Sequence, residues 1–207
     1  MSRVFRRAVI LDRDGVINRD RGYVHRIEDF EFLPAVVPAL RRLSAGGYAL
    51  VIVTNQSGLA RGLYSLADYE RLSRHMLAEL AREGVAIEGV EYCPHLPDAA
   101  VCAFRAECGC RKPAPGMILK LAERLRLDLS RSVLVGDKLT DVLAGRVAAV
   151  GRCVLVRSGQ PLSSADESAA DAVYADLAEF ADSQALHGGV KSEMQHQKPR
   201  LHGIDDR

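Results

Sequence analysis

Short apolar runs alternate with stretches of helical periodicity from Ala8 to about residue 180, the pattern of a parallel sheet flanked by helices. The fold class expected is therefore α/β. Strands are predicted at Ala8–Leu11, Ala49–Thr54, Ile87–Cys93, Ser132–Gly136 and Arg152–Val156. Between the first two, Pro34 opens a helix with Val36, Val37, Leu40 and Leu43 on one face, and Gly46-Gly47 stops it. Ser65 and Asp68 form a capping-box pattern ahead of Tyr69, Leu72, Met76, Leu77 and Leu80 at helical spacing. Two more helices are predicted over 117–127 and 140–148, the first burying Ile118, Leu121, Ala122 and Leu125.

The 207 residues suffice for one sizeable core and are short for two. We expect one domain over 1–185. Beyond Leu186 the chain turns to His, Gln, Lys, Gly, Pro and acidic residues, too few of them apolar to offset the entropy of ordering. Residues 186–207 are therefore expected to be a disordered tail, with His187, His196 and His202 solvated.

Lys and Arg number 28 against 27 Asp and Glu, so no general field draws the chain to nucleic acid or an anionic membrane. Anion binding must be local. The basic start, Arg3, Arg6 and Arg7, precedes an apolar run too short for a secretion signal. The expectation is a cytoplasmic protein, a monomer, without membrane or nucleic-acid partners.

Candidate chemistry sits at the strand ends. Asp12 and Asp14 follow the first apolar run directly, and Gly15 lets the chain turn. Period-two geometry points both carboxylates the same way, one suited to act as nucleophile and hard oxygen ligand. Thr54-Asn55-Gln56-Ser57-Gly58 offers a hydroxyl and successive N–H groups to a phosphate oxygen. Gly136-Asp137-Lys138 follows another strand, with Asp141 one helical turn on. In an open parallel sheet these places meet at the carboxyl edge. Asp12 and Asp137 would then supply a magnesium ion with carboxylates, and Lys112 a fixed cation for a phosphoryl group. Taken alone, the D-x-D after a strand also fits a plain Asx turn and the G-D-K a plain strand-to-helix cap; Asp141 fits either a group behind the metal or a first-turn aspartate.

Four of the five cysteines lie between Cys93 and Cys110. Cys93-Pro94-His95 and Cys108-Gly109-Cys110, twelve residues apart, make a tetrahedral zinc set. The alternatives are a buried thiol cluster or a disulfide. Cys102 is expected to be a bystander and Cys153 a core residue. With four protein ligands the zinc would be structural: it would fold a loop poor in apolar residues and hold Arg111 and Lys112 over the phosphate site.

The strings D-R-D-G-V, V-T-N-Q, R-K-P and V-G-D-K-L-T-D, in this order, resemble the four motifs of haloacid dehalogenase superfamily phosphatases. The resemblance implies a Rossmann-like fold, an aspartyl-phosphate formed on Asp12, acid/base work by Asp14, and phosphoryl binding by Thr54 and Lys112. It also implies Mg²⁺ held at Asp12, Asp14 and Asp137. Val16 departs from the usual threonine but removes no proposed catalytic group. The inter-motif segments are too short for a large cap domain. Capless members with a zinc loop look like two families, the D-glycero-D-manno-heptose 1,7-bisphosphate 7-phosphatases and the histidinol-phosphate phosphatases. The former resemblance is the closer and covers about residues 8–160. It implies a phosphorylated sugar substrate, contacts from Asp20, Arg21, Gly22, Tyr23, Thr54, Asn55, Gln56, Ser57, Arg111, Lys112 and Lys138, and a place in nucleotide-heptose and lipopolysaccharide synthesis. A phosphosugar-binding protein that has lost turnover is the reading from another class.

Overall fold

A computed structural model describes residues 5–189. Six parallel strands form one sheet in the order β3-β2-β1-β4-β5-β6: β1 Ala8–Leu11, β2 Ala49–Asn55, β3 Gly89–Cys93, β4 Val133–Gly136, β5 Arg152–Val156 and β6 Ala172–Tyr174. The helices are α1 Val36–Ala45, α2 Leu66–Arg82, α3 Gly116–Leu125, α4 Leu139–Val147, α5 Ser164–Ala169 and α6 Leu177–Gly189.

Strand alternation sorts the core into two layers. Val9, Leu11, Leu50, Ile52, Val133, Val135, Val154 and Val156 face one cluster, with Leu40, Leu43, Met76 and Phe180 from the helices. Ala8, Ile10, Val51, Val53, Leu134, Cys153 and Leu155 face the other, with Ile118, Leu121 and Val142. Both faces are thus covered, which is why the strands read as continuous apolar runs. Leu40 lies wholly inside the first layer, so Leu40→Ala is expected to cost about 2–5 kcal/mol, read by chemical denaturation. A loss below about 1 kcal/mol would mean that this layer is not the packed core.

Five strands and four helices lie where the periodicity predicts them, with shifted ends. β3 begins at Gly89, not Ile87, because pairing with β2 starts at Val51 opposite Gly89. Leu121 and Arg124 press on Gly89 so closely that a Cβ would stand 2.6 Å from the leucine. α3 stops at Leu125 because Arg126 turns left-handed at φ 54°, letting its carbonyl accept from Arg6 N–H at 3.1 Å. The capping box is present, Ser65 and Asp68 bonding reciprocally at the start of α2. β6, α5 and α6 were not predicted. β6 has three half-buried residues and α5 buries none, so neither carries a strong period. α6 packs Leu177, Phe180 and Ala181 against the α1 layer and continues to Gly189, past residue 185 where the domain was expected to end. The rest of the expected tail, 190–207 with His196 and His202, lies outside the described residues.

Candidate active site

The carboxyl ends of β1, β2 and β4 are adjacent in the sheet, so Asp12, Thr54 and Asp137 meet although they are far apart in sequence. One carboxylate oxygen each from Asp12, Asp137 and Asp141 falls within 4.8 Å of the others. Lys112 Nζ lies 3.0 Å from Asp12 Oδ1 and 2.5 Å from Asp141 Oδ1, and it donates to the Val53 carbonyl at 2.9 Å. All four side chains are nearly inaccessible. The Lys112 backbone is held separately: Asn55 Nδ2 donates to its carbonyl and Lys112 N–H donates to Asn55 Oδ1, both at 3.1 Å.

Three carboxylates against one buried lysine leave negative charge to neutralise, and a buried Asp137 oxygen, Oδ1, has no hydrogen-bond partner. An orphaned hard oxygen beside two more carboxylates fits a divalent cation such as Mg²⁺. Burial, then the Asp12 charge, pushes the Asp137 carboxyl up to about 7; burial also raises Asp12, against the pull of Lys112. Burial works against the Lys112 ammonium, but Asp12 and Asp141 outweigh it and keep the lysine protonated. Near pH 7 a cation entering this site competes with a proton on Asp137. Mg²⁺ affinity is therefore expected to fall as pH drops below about 7, with proton release detectable by calorimetry in buffers of different ionisation heat. Affinity unchanged from about pH 8 to 6 would contradict this charge distribution.

The carboxylate of Asp14 stands outside that trio. It accepts from Arg13 Nη2 at 2.8 Å, Asn18 Nδ2 at 2.9 Å and Gln56 Nε2 at 3.1 Å. Among the described residues the carboxylates gathered at ligand spacing are those of Asp12, Asp137 and Asp141, and the expected metal ligand Asp14 does not bring its carboxylate into that group. Asp141 is a first-turn aspartate, its Oδ2 accepting from Lys138 N–H at 3.1 Å at the start of α4, and its Oδ1 also lies against Lys112.

The residues expected to touch substrate divide into two groups. Asp20 and Lys138 gather at the mouth, where Lys138 Nζ lies 3.5 Å from Asp20 Oδ2 and 3.4 Å from Asp137 Oδ2. Gly22 and the half-exposed Tyr23 lie on the same surface loop, both at positive φ, and Ser57 is half-buried. Arg21, in contrast, is exposed and paired with Glu31 at 2.6 Å. Asn55 and Gln56 spend their side chains on Lys112, Asp14 and Thr54. Sequence reasoning missed the turn after β5. There Gln160 N–H donates to Asp137 Oδ2 at 3.1 Å, Gln160 Nε2 to Asp20 Oδ2 at 2.9 Å, and Ser158 Oγ to the Gly15 carbonyl at 2.7 Å. A Cβ on Gly159 would stand 2.1 Å from Asp137 Oδ2, so only glycine admits this turn. Its one sequence signal, Ser-Gly-Gln after an apolar strand, is too common to single out.

The second cluster is built at the end of β3. Cys110 Sγ lies 3.2 Å from Cys93 Sγ, 3.3 Å from Cys108 Sγ and 3.4 Å from His95 Nδ1. Cys93 Sγ lies 3.6 Å from Cys108 Sγ and 3.7 Å from His95 Nδ1. A tetrahedral ion with Zn–S bonds near 2.3 Å needs edges of about 3.7 Å, so the set closes around such an ion with little movement. All five cysteines are free thiols, which removes the disulfide alternative in this structure. Burial alone would raise the Cys108 thiol, but Cys110 and the N–H groups of Arg111 and Cys110 outweigh it and bring it to about 7. Cys102 is exposed and Cys153 buried in β5, as expected. The loop forms one wall of a 260 Å³ cleft lined by Pro97, Glu107, Arg111, Lys112 and Pro113.

A family model described as "HAD-hyrolase-like" matches residues 109–180. The chain is 49% identical over 173 residues to the D-glycero-beta-D-manno-heptose-1,7-bisphosphate 7-phosphatase of Escherichia coli O6:H1, covering 84% of this chain and 91% of the relative. The enzyme of the same name from Vibrio cholerae serotype O1 is 46% identical, over 80% and 89%. The crystal structure of D,D-heptose 1,7-bisphosphate phosphatase from B. bronchiseptica, complexed with magnesium and phosphate, superposes with a TM-score of 0.73 at 33% identity, covering 87% of this chain and 99% of that one.

Proposed function

This chain belongs to the D-glycero-beta-D-manno-heptose-1,7-bisphosphate 7-phosphatase family of haloacid dehalogenase-like hydrolases, and we infer from that membership and the site that it hydrolyses the 7-phosphate of D-glycero-D-manno-heptose 1,7-bisphosphate. The observation that carries the reading is the buried convergence of Asp12, Asp137 and Asp141 on Lys112.

Asp12, at the tip of β1, is the nucleophile. Its oxygen bonds to phosphorus as the bond from phosphorus to the sugar oxygen breaks, and Asp14 delivers its proton to that oxygen. Water then attacks the aspartyl-phosphate, Asp14 takes up the water proton, and phosphate leaves Asp12. Lys112 and Thr54 hold the phosphoryl oxygens while negative charge develops. Asp12 and Asp137, with the Asp14 carbonyl, would hold Mg²⁺, which when bound offsets charge between the carboxylates and the phosphoryl group.

The second phosphate falls to Arg111, whose planar fork suits a dianion; Lys138, set against Asp20 and Asp137, is the other cation assigned to the substrate. Zinc at Cys93, His95, Cys108 and Cys110 would hold the cleft wall that carries Arg111. Histidinol phosphate fits less well. Its ammonium needs a free carboxylate, and Asp20 is occupied by Lys138, Gln160 and the Gly22 N–H. The β anomer is proposed from the names of the relatives. Among the described residues no helix is long and apolar enough to cross a membrane; cytoplasmic action as a monomer, in nucleotide-heptose synthesis for lipopolysaccharide, completes the proposal.

Purified protein with Mg²⁺ is expected to release phosphate from the β-bisphosphate faster than from the α-bisphosphate or histidinol phosphate. A preference for histidinol phosphate would overturn the substrate assignment while leaving the chemistry intact.

A further inference from the structure

Between the substrate loop and Asp14 lies a buried polar network centred on Gln56, Tyr64 and Arg13. Gln56 is 3% exposed and Arg13 2%, burial that polar side chains tolerate only when their hydrogen bonds are supplied internally. The Gln56 amide is used on both sides. Nε2 donates to Asp14 Oδ2 at 3.1 Å and to Thr54 Oγ1 at 2.9 Å, and Oε1 accepts from the Tyr64 hydroxyl at 2.6 Å. The Asp14 carboxylate decides which way the amide faces, and Tyr64 anchors its other end. An ionised carboxylate only accepts, so Nε2 must face Asp14, and the opposite end of the amide, Oε1, is then left to accept the Tyr64 phenol proton, which anchors it. Burial pushes the Tyr64 phenol far above its ordinary range, so the donor persists at every working pH. The ring reaches this position because residue 58 is glycine; a Cβ there would stand 2.1 Å from the Tyr64 ring.

Arg13 holds the other side of the same carboxylate. Its Nε donates to Asp14 Oδ2 at 3.1 Å and its Nη2 to Asp14 Oδ1 at 3.0 Å. Nη2 also donates to the Val24 carbonyl at 3.0 Å, and His25 stacks on Tyr64 with ring centroids 5.0 Å apart. Val24 and His25 directly follow Asp20–Tyr23, so the segment facing substrate is fastened at both contacts to the groups that hold Asp14.

We propose that Gln56 and Tyr64, together with Arg13, are positioning residues that hold Asp14 in line with the leaving sugar oxygen and tie its orientation to the substrate loop at 20–25. The proposal rests on the acid/base reading of Asp14 given above. Gln56 then acts through Asp14, not by touching the sugar. Its second bond fills an acceptor site on Thr54 Oγ1 and leaves the threonine proton for a phosphoryl oxygen.

A proton is needed only when the leaving group is basic. A sugar alkoxide needs one and a p-nitrophenolate does not, so the ratio of single-turnover rates on heptose bisphosphate and p-nitrophenyl phosphate isolates the proton-transfer step. Losses shared by both substrates, including those through Thr54, cancel. Asp14→Asn is expected to lower this ratio roughly a hundredfold or more, the scale of general acid catalysis. Gln56→Met, which keeps the length and drops the donors, should lower it about tenfold, and Tyr64→Phe, which keeps the ring and its stack on His25, about fivefold, the scale of one lost hydrogen bond. If Asp14→Asn leaves the ratio unchanged, the acid reading itself fails. If Asp14→Asn lowers it while both Gln56→Met and Tyr64→Phe keep the parent ratio, the positioning proposal fails and the acid reading stands. Tyr64→Phe removes only a hydroxyl, so it decides the matter even if Gln56→Met does not fold.

Discussion

Asp12→Asn protein is expected to release phosphate from heptose bisphosphate at least about a thousandfold more slowly than the parent, the scale on which removal of a nucleophile is felt. The substitution keeps the shape of the side chain but replaces the anionic carboxylate with a neutral amide, whose remaining oxygen is a poor nucleophile. Lys112 Nζ sits 3.0 Å from Asp12 Oδ1, and the lysine retains Asp141 at 2.5 Å and the Val53 carbonyl at 2.9 Å, so its ammonium stays paired and the fold should survive. Rapid quench with acid is the complementary measurement. Parent protein should carry a covalent, acid-stable phosphoryl group during turnover, and the variant none. Substantial turnover by Asp12→Asn would remove the covalent mechanism and point to direct attack by water.

If Cys93, His95, Cys108 and Cys110 hold the zinc ion proposed for them, stripping it with a strong chelator, or replacing Cys110 with serine, is expected to raise KM for the bisphosphate at least about tenfold, with a smaller fall in kcat. Structural zinc binds with an apparent free energy of about 10–16 kcal/mol, and that binding is the folding energy of the segment it closes. Between His95 and Cys108 the apolar content is thin: Leu96, Ala99 and Phe104 make a small cluster with Ala60. Without the ion little remains to hold Arg111 in the cleft wall. Lys112 is less affected, because Asn55 grips its backbone from β2. A difference between KM and kcat follows from that division. Proteolysis within 96–107 should accelerate in parallel with the loss of metal. Chelated protein with parental KM and unchanged protease resistance would show that the four side chains do not hold a structural ion.

The part of this site that was legible along the chain is the part carried by neighbours in sequence. Asp12 is presented by β1 and Gly15, and the turn needs glycine: φ is +86°, and a Cβ would stand 2.4 Å from Asp137 Oδ2. The Cys-His cluster was legible for the same reason, since two short pairs at ligand spacing suffice to name it. Asp141 was half legible; its capping bond is local, whereas its approach to Lys112 is set by the packing of α4 and by the segment that follows Cys110. β6 and α5 bury too little for a period to show, and α6 is recognised as core only once Phe180 meets α1.

The amino-acid sequence by itself determined that this chain builds a parallel α/β sheet whose strand ends carry carboxylates, because apolar period and turn chemistry are local properties. Tertiary structure decided how those groups are used. The chain order does not say that Gln56 faces Asp14 rather than the solvent, that Tyr64 anchors its amide oxygen, or that a turn at Gly159 closes over Asp137. Each depends on strands β1, β2, β4 and β5 lying side by side with their ends level, and a hydrogen bond of 3 Å is decided by that register.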